Sequence, residues 1–178
     1  MKTIRELRDV IDFYPNESSS QLKYFTRQNI DWNVYLPTKG KNLQRDFVWT
    51  LEQKRELIKS MLIGRHIPHC AIVNIVDPNN DHKDILQIID GKQRLSAMVD
   101  FYENRFTIEL EGTEYFFKDL PNDYQLAISH YHFRYYVVNE PYGSPMTDKQ
   151  KINWFKFINF AGTPQDAEHL HGLSENYA

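Results

Sequence analysis

The sequence predicts a mixed α+β (α/β) fold from two patterns. Short apolar and β-branched runs bounded by turn residues predict strands, and longer segments with apolar residues at positions i, i+3, i+4 and i+7 predict helices. Segments of both kinds alternate along the chain. At 178 residues and 41% hydrophobic, the chain is expected to form one domain, residues 1–178, with a substantial core.

The N-terminal region is predicted to contain a helix, a linker and strands. Thr3 and Glu6 form a capping-box pattern, which predicts a helix to about Tyr14. Residues 15–21 are polar and predict a linker. Residues 25–36 mix aromatic and β-branched side chains with polar ones, which predicts one or two strands.

A second helix is predicted from Thr50, whose capping box is completed by Gln53, through Leu62. Trp49, just before it, is predicted to be a core residue, with base stacking as the alternative. The predicted buried face of the helix contains Leu57, Ile58, Met61 and Leu62. Its cations are predicted to form a solvated face and are Lys54, Arg55 and Lys59.

The same patterns predict the remaining elements. They are an antiparallel strand pair 71–76 and 84–89 around the turn 77–81, a second hairpin 106–110 and 114–117, a short helix 121–129, a strand 131–138, a helix through Phe160 that begins at the capping box of Thr147 and Gln150, and a last short helix to about His171.

The segment 88–95 (IIDGKQRL) is predicted to contain a sharp strand-to-helix turn. The apolar run 85–89 predicts a buried strand, which Asp90 and Gly91 interrupt. A helix is predicted to begin near Lys92, because an apolar stripe follows at helical spacing. The residues of this stripe are Leu95, Met98, Val99 and Tyr102. The start of the helix presents backbone N–H groups and the positive end of the helix dipole, which favour an anion.

Four residues of this turn suit anion chemistry. Gly91 lets the backbone bend and lets a ligand approach closely. Lys92 and Arg94 lie in the first turn of the predicted helix, where their charges can join the N–H groups around a phosphate. Asp90 can hold Mg²⁺ or orient a water molecule. The alternative is that Asp-Gly is an ordinary turn and that both cations are solvated.

The composition argues against several classes of protein. A formal charge of −3 and a pI near 6.2 do not fit a protein that coats DNA, although a local basic groove remains compatible. Cys70 is the only cysteine, so no internal disulfide is expected. The charged N-terminus has no apolar signal core, and no run of 18 apolar residues occurs, so the sequence predicts a cytoplasmic protein without membrane segments.

Motifs of other nucleotide and metal sites are absent from the sequence. The chain has no Walker A sequence, no G-x-S-x-G elbow and no G-x-G-x-x-G loop. Its histidine pairs do not supply the three or four convergent ligands that a zinc site needs. Nucleotide chemistry is therefore expected only at the turn that contains Asp90 and Gly91.

Three segments, in order along the chain, resemble one family. IDGKQRLSA, residues 89–97, is similar to the D-G-Q-Q-R-L signature of the N-terminal domain of GmrSD-type, modification-dependent restriction enzymes. LQRDFVW, residues 43–49, resembles the family's Q-R-x-(Y/F)-V-W stretch. FINFAGTP, residues 157–164, resembles its N-x-x-G-T-P segment.

The resemblance implies a ParB/sulfiredoxin-like fold, with a small mixed β-sheet flanked by helices, and a nucleotide-driven function. It implies binding and hydrolysis of a nucleoside triphosphate with Mg²⁺, in a system that recognises modified DNA in defence against phage. Asp90 and Arg94 are implied as catalytic residues, with Asp90 also as the metal ligand. The residues implied to bind the nucleotide are Gln44, Arg45, Gly91, Lys92, Gln93, Asn159 and Thr163.

Two departures from the family pattern keep other functions open. The first Gln of the signature is Lys92 here, which adds charge beside a phosphate but removes an amide. The HNH-type nuclease domain that follows in many relatives is not expected in this chain, so DNA cleavage by that route is not expected either. The alternatives are a non-catalytic module that binds DNA or a protein such as a nuclease subunit, and an antagonist of a full-length restriction system.

Overall fold

The computed structural model describes residues 13–76, 84–140 and 145–160. In this part of the chain, no helix is both long enough and apolar enough to cross a membrane. The described elements, in chain order, are β1 Asn16–Gln21, α1 Leu22–Phe25, β2 Asn29–Asp31, β3 Tyr35–Leu36, β4 Lys41–Asn42, α2 Leu51–Leu62, β5 Cys70–Val76, β6 Asp84–Asp90, α3 Lys92–Tyr102, β7 Ile108–Leu110, β8 Thr113–Tyr115, a 3₁₀ turn Phe117–Asp119, α4 Asn122–Ser129, β9 His132–Asn139 and α5 Asp148–Phe160.

Five strands form a mixed sheet in the order β1-β9-β5-β6-β2. β6 pairs antiparallel with β5 and parallel with β2. β9 pairs parallel with β5 and antiparallel with β1. The pairs β3–β4 and β7–β8 form two-stranded sheets of their own. These strands, together with the helices, confirm the predicted mixed α+β fold.

The sheet is covered on both faces, which explains why β6 is apolar without alternation. Ile88 and Ile89 are both fully buried, but they belong to two different hydrophobic clusters, because consecutive side chains of a strand point to opposite faces. The cluster around Ile88 includes residues of α1, α2, α3 and α4. The cluster around Ile89 includes Ile152, Trp154 and Phe155 of α5. β6, an inner strand of the sheet, leads directly into α3.

Most of the predicted elements are confirmed, with ends shifted by one or two residues. The strand pair β5–β6, the hairpin β7–β8, the strand β9 and the helices α2 to α5 all occur where the patterns predict them. The capping boxes of α2 and α5 form as predicted, with the Thr50 and Thr147 hydroxyls accepting from the backbone N–H groups of Gln53 and Gln150 at 3.3 Å. The predicted first helix up to residue 12, the turn 77–81 and the last helix lie outside the described residues.

The prediction of a polar linker over residues 15–21 is wrong. Asn16–Gln21 is β1, an edge strand that pairs along its whole length with β9. The hydroxyl of Ser20 lies 3.0 Å from the Tyr135 hydroxyl across the ladder. An edge strand exposes much of its surface, so it can be built from polar residues that carry no apolar alternation. Part of the predicted strand region 25–36 is also helical at α1, although β2 and β3 confirm two strands there.

Two predictions around α2 are also wrong. Lys54 and Arg55 do not form a merely solvated face, because each makes a contact with another element. The Lys54 ammonium lies 3.2 Å from an Asp100 carboxylate oxygen, and Arg55 lies 2.7 Å from Glu114 and donates to Thr107. Trp49 is half-buried and belongs to neither core cluster of the described residues. The predicted apolar stripe of α2 is confirmed, with Ile58 and Met61 fully packed.

Candidate functional site

The turn between β6 and α3 is held in a left-handed conformation by Gly91. Its φ angle is +92°, and a Cβ added there would lie 2.0 Å from the Cys70 sulfur at the start of β5. Both the backbone conformation and the space therefore require glycine. Burial raises the pKa of the Cys70 thiol to about 12, so the sulfur that packs on Gly91 is neutral near pH 7.

The N-terminus of α3 has the features that favour an anion. No side chain caps it, no acidic residue lies in its first turn, and the first helical bond runs from the Leu95 N–H to the Gly91 carbonyl. The backbone N–H groups of the first turn precede that bond, so they have no acceptor within the helix. The helix dipole adds positive potential at the same place.

Asp90 and Arg94 form an ion pair on one side of the turn. Arg94 Nη2 donates to Asp90 Oδ2 at 2.9 Å and to the His69 carbonyl at 3.2 Å. Asp90 is 7% exposed, so its carboxylate depends on this pairing. The buried Arg94 Nε and His69 Nε2 have no hydrogen-bond partner among the described residues. Buried donors without acceptors are rare, so the unpartnered Arg94 Nε is a feature of this turn that calls for an explanation.

Lys92 lies on the other side of the helix and has its partners in the protein. Its ammonium donates to Asn33 Oδ1 at 2.7 Å and to the Arg45 carbonyl at 2.9 Å. Burial lowers the pKa of Lys92, while the carboxylates of Asp46 and Asp31 oppose that shift. Lys92 therefore links the turn to the loops that carry Asn33 and Arg45.

Hydrogen bonds of two glutamines, Gln44 and Gln93, connect the segment 43–49 to the turn. The buried Gln44 amide donates to the Ile89 carbonyl at the end of β6. Gln93 Oε1 accepts from the backbone N–H groups of Val48 and Trp49 at 3.1 and 3.2 Å, and its amide donates to the Asp46 carbonyl. The two segments that resemble the family signature are thus in direct contact.

A chain of polar residues, buried at Gln87 and Lys151, continues from this region to α5. Gln87 of β6 donates to Asp31 at 3.0 Å and accepts from the Lys151 ammonium at 2.6 Å. Asp31 in turn accepts from the backbone N–H groups of Asn33 and Val34. Asn33 is the partner of Lys92, so hydrogen bonds connect α5 to the turn through the sheet.

The predicted nucleotide-binding residues fall into four groups. Gln44, Gly91, Lys92 and Gln93 lie together with Asp90 and Arg94. Arg45 reaches the turn only through its carbonyl, and its side chain is exposed. The Asn159 amide donates to the Phe155 carbonyl within α5 at 2.8 Å, a bond that does not connect it to the turn. Thr163 lies outside the described residues. The ligand-binding roles of all these residues stay predictions.

Asn33 and His69 also belong to this site, and the sequence did not single them out. Both contact the turn from distant segments, Asn33 through Lys92 and the His69 carbonyl through Arg94. Neither contact leaves a local pattern, because it depends on how the strands are arranged. Cys70 was noted only as a lone cysteine, and its contact with Gly91 likewise follows from the β5–β6 pairing.

The donor set at the turn fits Mg²⁺ only together with a phosphate ligand. Asp90 is the carboxylate at the turn itself, and it is paired with Arg94. The described residues contain no cluster of three or more His, Cys, Asp or Glu side chains that could hold a metal alone. Mg²⁺ commonly uses one or two carboxylates, substrate phosphates and several waters. The residues present are compatible with that arrangement.

A basic cleft lies on the surface near His69. It has a volume of about 290 Å³, and we use the name basic cleft for the exposed side chains of Arg65, His66, His132 and Arg134 that line it. The rings of His66 and His69 are 6.0 Å apart. Arg134 is 4.0 Å from Glu17, a distance at which an exposed pair contributes little. The cleft brings two arginines and two histidines together on a chain whose formal charge is −3 with histidine counted as neutral.

Comparison with known proteins identifies one family. The family model described as GmrSD restriction endonuclease, N-terminal domain, matches residues 23–171 of the 178 residues. The match includes the β6–α3 turn, the segment 43–49 and the basic cleft. No curated protein and no solved structure matches the chain.

Proposed function

Because the chain belongs to the family of GmrSD restriction endonuclease N-terminal domains, we propose that it serves a restriction system by binding and hydrolysing a nucleoside triphosphate at the β6–α3 turn. The observation that carries this proposal is the buried Arg94 Nε, a donor without an acceptor among the described residues, beside the uncapped start of α3. A phosphate oxygen is the acceptor that suits both the guanidinium and the backbone N–H groups.

Each residue of the turn has a defined part in this proposal. The first-turn N–H groups of α3 and Arg94 bind the phosphates and offset the charge that develops during transfer. Asp90 orients the attacking water, and it is released for this task when Arg94 turns toward the phosphates. Lys92 acts as a positioning residue, because its ammonium fastens the turn to Asn33 and Arg45.

The reaction is the hydrolysis of the terminal phosphoanhydride bond. Water supplies the attacking oxygen, and the bond between the terminal phosphorus and the bridging oxygen breaks. The products are a nucleoside diphosphate, inorganic phosphate and a proton. Mg²⁺, when bound with the nucleotide, supplies charge neutralisation of the phosphates.

The test is the release of phosphate from each of the four nucleoside triphosphates with Mg²⁺. Wild type is compared with Arg94→Lys and Asp90→Asn, and Arg55→Lys is the matched control. Arg55 is also a partly buried arginine paired with a carboxylate, but it contacts Glu114 away from the turn. We expect release by wild type and Arg55→Lys, and a loss of about 100-fold or more in both turn variants. No release by wild type, or equal release by all four proteins, would overturn the proposal.

The second candidate function is a nucleic-acid-binding module without hydrolysis, which the basic cleft favours. The side chains that line the cleft can approach the phosphates of a DNA backbone; they are Arg65, His66, His132 and Arg134. Affinity that depends on phosphate contacts falls steeply as the salt concentration rises. In that case the protein acts as the DNA-binding partner, or as an antagonist, of a full-length restriction system.

Binding of duplex DNA at several salt concentrations tests this candidate. Arg65→Ala and Arg134→Ala are expected to weaken binding and to reduce the salt dependence, with Arg27→Ala, another exposed arginine, as the control. Binding that is equally strong in all variants would contradict a role of the basic cleft. DNA binding in the absence of phosphate release would favour this function over hydrolysis.

A further inference from the structure

A groove with three aromatic side chains, Phe25, Trp32 and Phe47, lies along α3. Its volume is about 430 Å³, within the range of small-molecule sites. We use the name aromatic groove for the space between one face of α3, the segment 25–32 and Phe47. The lining residues on this side are Lys92, Ser96, Val99 and Asp100 of α3 and Glu103, which directly follows the helix.

The aromatic groove is distinct from the Asp90–Arg94 side of the turn. The lining positions of α3 recur every three or four residues, so they share one face of the helix. Arg94 follows Lys92 by two residues, which places it about 200° away around the helix axis. A ligand in the groove therefore contacts the face opposite Arg94.

The walls of the groove suit a flat, hydrogen-bonding ring. Trp32 and Phe47 are both partly buried and offer aromatic surface, and the buried side chains of Phe25 and Val99 add apolar contact. The Ser96 hydroxyl donates to the Lys92 carbonyl at 2.7 Å, so its oxygen can still accept a hydrogen bond. Aromatic surface and a hydrogen-bonding group in one groove are the combination that holds heteroaromatic ligands.

The charges around the groove oppose a phosphate ligand. Arg105 is paired with Asp100 at 2.9 Å and with Glu103 at 2.6 Å. The Lys92 ammonium is bound to Asn33 and the Arg45 carbonyl. The carboxylates at the far end are compensated by Lys54 and Arg105, and these cations and Lys92 already have acceptors, so they are not left free to bind a phosphate. A neutral ring is therefore the ligand that fits the groove best.

One aromatic wall is fixed in place before any ligand binds. The Lys54 ammonium lies 4.3 Å from the centroid of the Phe47 ring and 3.2 Å from an Asp100 carboxylate oxygen. This contact connects the loop that carries Phe47 to α2 and α3. A preorganised wall loses little conformational freedom on binding, which favours affinity.

We propose that the aromatic groove binds a nucleobase. Bases stack on aromatic side chains and carry donors and acceptors on their edges, and they occur both in free nucleotides and as bases turned out of DNA. The groove is a second site, and its occupation does not depend on triphosphate hydrolysis at the turn.

The test uses nucleosides, which carry no phosphate. Adenosine, guanosine, cytidine and thymidine are titrated by calorimetry into wild type, Trp32→Leu, Ser96→Arg and the control Tyr102→Leu. Tyr102 is a partly buried aromatic residue of α3 that stacks on Phe117, away from the groove. We expect at least one nucleoside to bind wild type and control equally, about tenfold weaker binding by Trp32→Leu, and none by Ser96→Arg, whose longer side chain fills the groove.

Two further binding measurements distinguish a base extruded from DNA from the base of a free nucleotide. Tighter binding of duplex DNA with a central mismatch than of the nucleoside, lost in Ser96→Arg, assigns the groove to an extruded base. Equal binding of nucleoside and mononucleotide, with no gain from DNA, assigns it to a free nucleotide. No binding of any of these ligands by wild type, or equal affinity in Ser96→Arg, would overturn the proposal.

The outcomes also separate this proposal from hydrolysis at the turn. Nucleoside binding without phosphate release supports the groove and contradicts the hydrolase function. Phosphate release without binding of a nucleoside or DNA in the groove supports the hydrolase function and contradicts the proposed nucleobase site.

Discussion

The first turn of α3 carries two cations whose surroundings differ. Lys92 is 8% exposed, and its ammonium donates to Asn33 and to the Arg45 carbonyl at 2.7 and 2.9 Å. Arg94 uses one nitrogen for Asp90 and the His69 carbonyl, while its buried Nε has no acceptor among the described residues. On the Lys92 side of the turn, the ammonium is bound to acceptors of the protein. On the Arg94 side, the Nε donor has no acceptor among the described residues.

This difference separates two tasks that the sequence alone assigns to both residues. A buried ammonium with fixed protein acceptors contributes to stability, because its removal leaves those acceptors unsatisfied. A buried donor without a protein acceptor is available to a ligand. We therefore expect changes at Lys92 to lower stability first and changes at Arg94 to lower ligand binding first.

The largest expected effect is at Gly91, on which both sides depend. Gly91→Ala is expected to lower the free energy of unfolding by about 3 kcal/mol or more, because the added Cβ meets the Cys70 sulfur and the φ angle is +92°. Urea denaturation measures the loss. Gly112→Ala is the control, with a φ of +77° but no atom within 4 Å of the added Cβ, and about 1–2 kcal/mol is expected there. Equal losses would show that the Cys70 contact is unimportant.

The second-largest effect is expected at Lys92, whose ammonium is bound to acceptors of the protein. Lys92→Met is expected to lower the free energy of unfolding by about 2 kcal/mol, since Asn33 Oδ1 and the Arg45 carbonyl lose their donor. Lys59→Met serves as the control, because Lys59 pairs with Glu56 on the surface of α2, and a change within about 0.5 kcal/mol is expected. A Lys92→Met protein as stable as wild type would contradict the structural role of this ammonium.

A smaller effect is expected at Gln93, between the two sides. Gln93→Ala removes the acceptor of the Val48 and Trp49 N–H groups, so about 1 kcal/mol of stability should be lost. Hydrogen exchange should accelerate at these two amides and stay unchanged at Leu95, whose N–H bonds to the Gly91 carbonyl. Uniform acceleration at all three amides would show that Gln93 supports the helix rather than the loop.

The smallest effect near neutral pH concerns Cys70, which packs beneath the turn. Its thiol is fully buried, and burial raises its pKa from about 9 to about 12. The thiol ionises first in the unfolded chain, so the contribution of Cys70 to stability is constant below about pH 9 and is lost as the pH rises toward 12. Iodoacetamide at pH 8 should therefore leave Cys70 unmodified in the folded protein and modify it in urea, as mass spectrometry can show. Equally rapid modification of the folded protein would contradict this burial.

The sequence predicted the position of the turn because the pattern changes there. A continuous apolar run ends at Asp90, and a helical stripe begins after Gly91, so strand, turn and helix were all visible locally. The polar strand β1 was missed, because an edge strand paired on one side carries no apolar alternation.

The division of tasks between Lys92 and Arg94 could not be predicted. It depends on Asn33 and His69, which lie 59 and 25 positions away from the residues they contact. Such contacts follow from the pairing of β2, β5 and β6 rather than from local sequence. For the same reason, the aromatic groove joins Trp32 and Phe47 to α3 without any motif that contains all three.

The most direct measurement is the affinity for a nucleoside triphosphate with Mg²⁺, determined by calorimetry for wild type, Lys92→Gln and Arg94→Lys. Lys92→Gln restores the residue of the family signature and keeps a donor near Asn33, so its Kd is expected to stay within about threefold of wild type. Arg94→Lys removes the Nε donor and the planar fork, so its Kd is expected to rise about tenfold or more. A large loss in Lys92→Gln with unchanged binding by Arg94→Lys would contradict the assignment of the ligand to the Arg94 side.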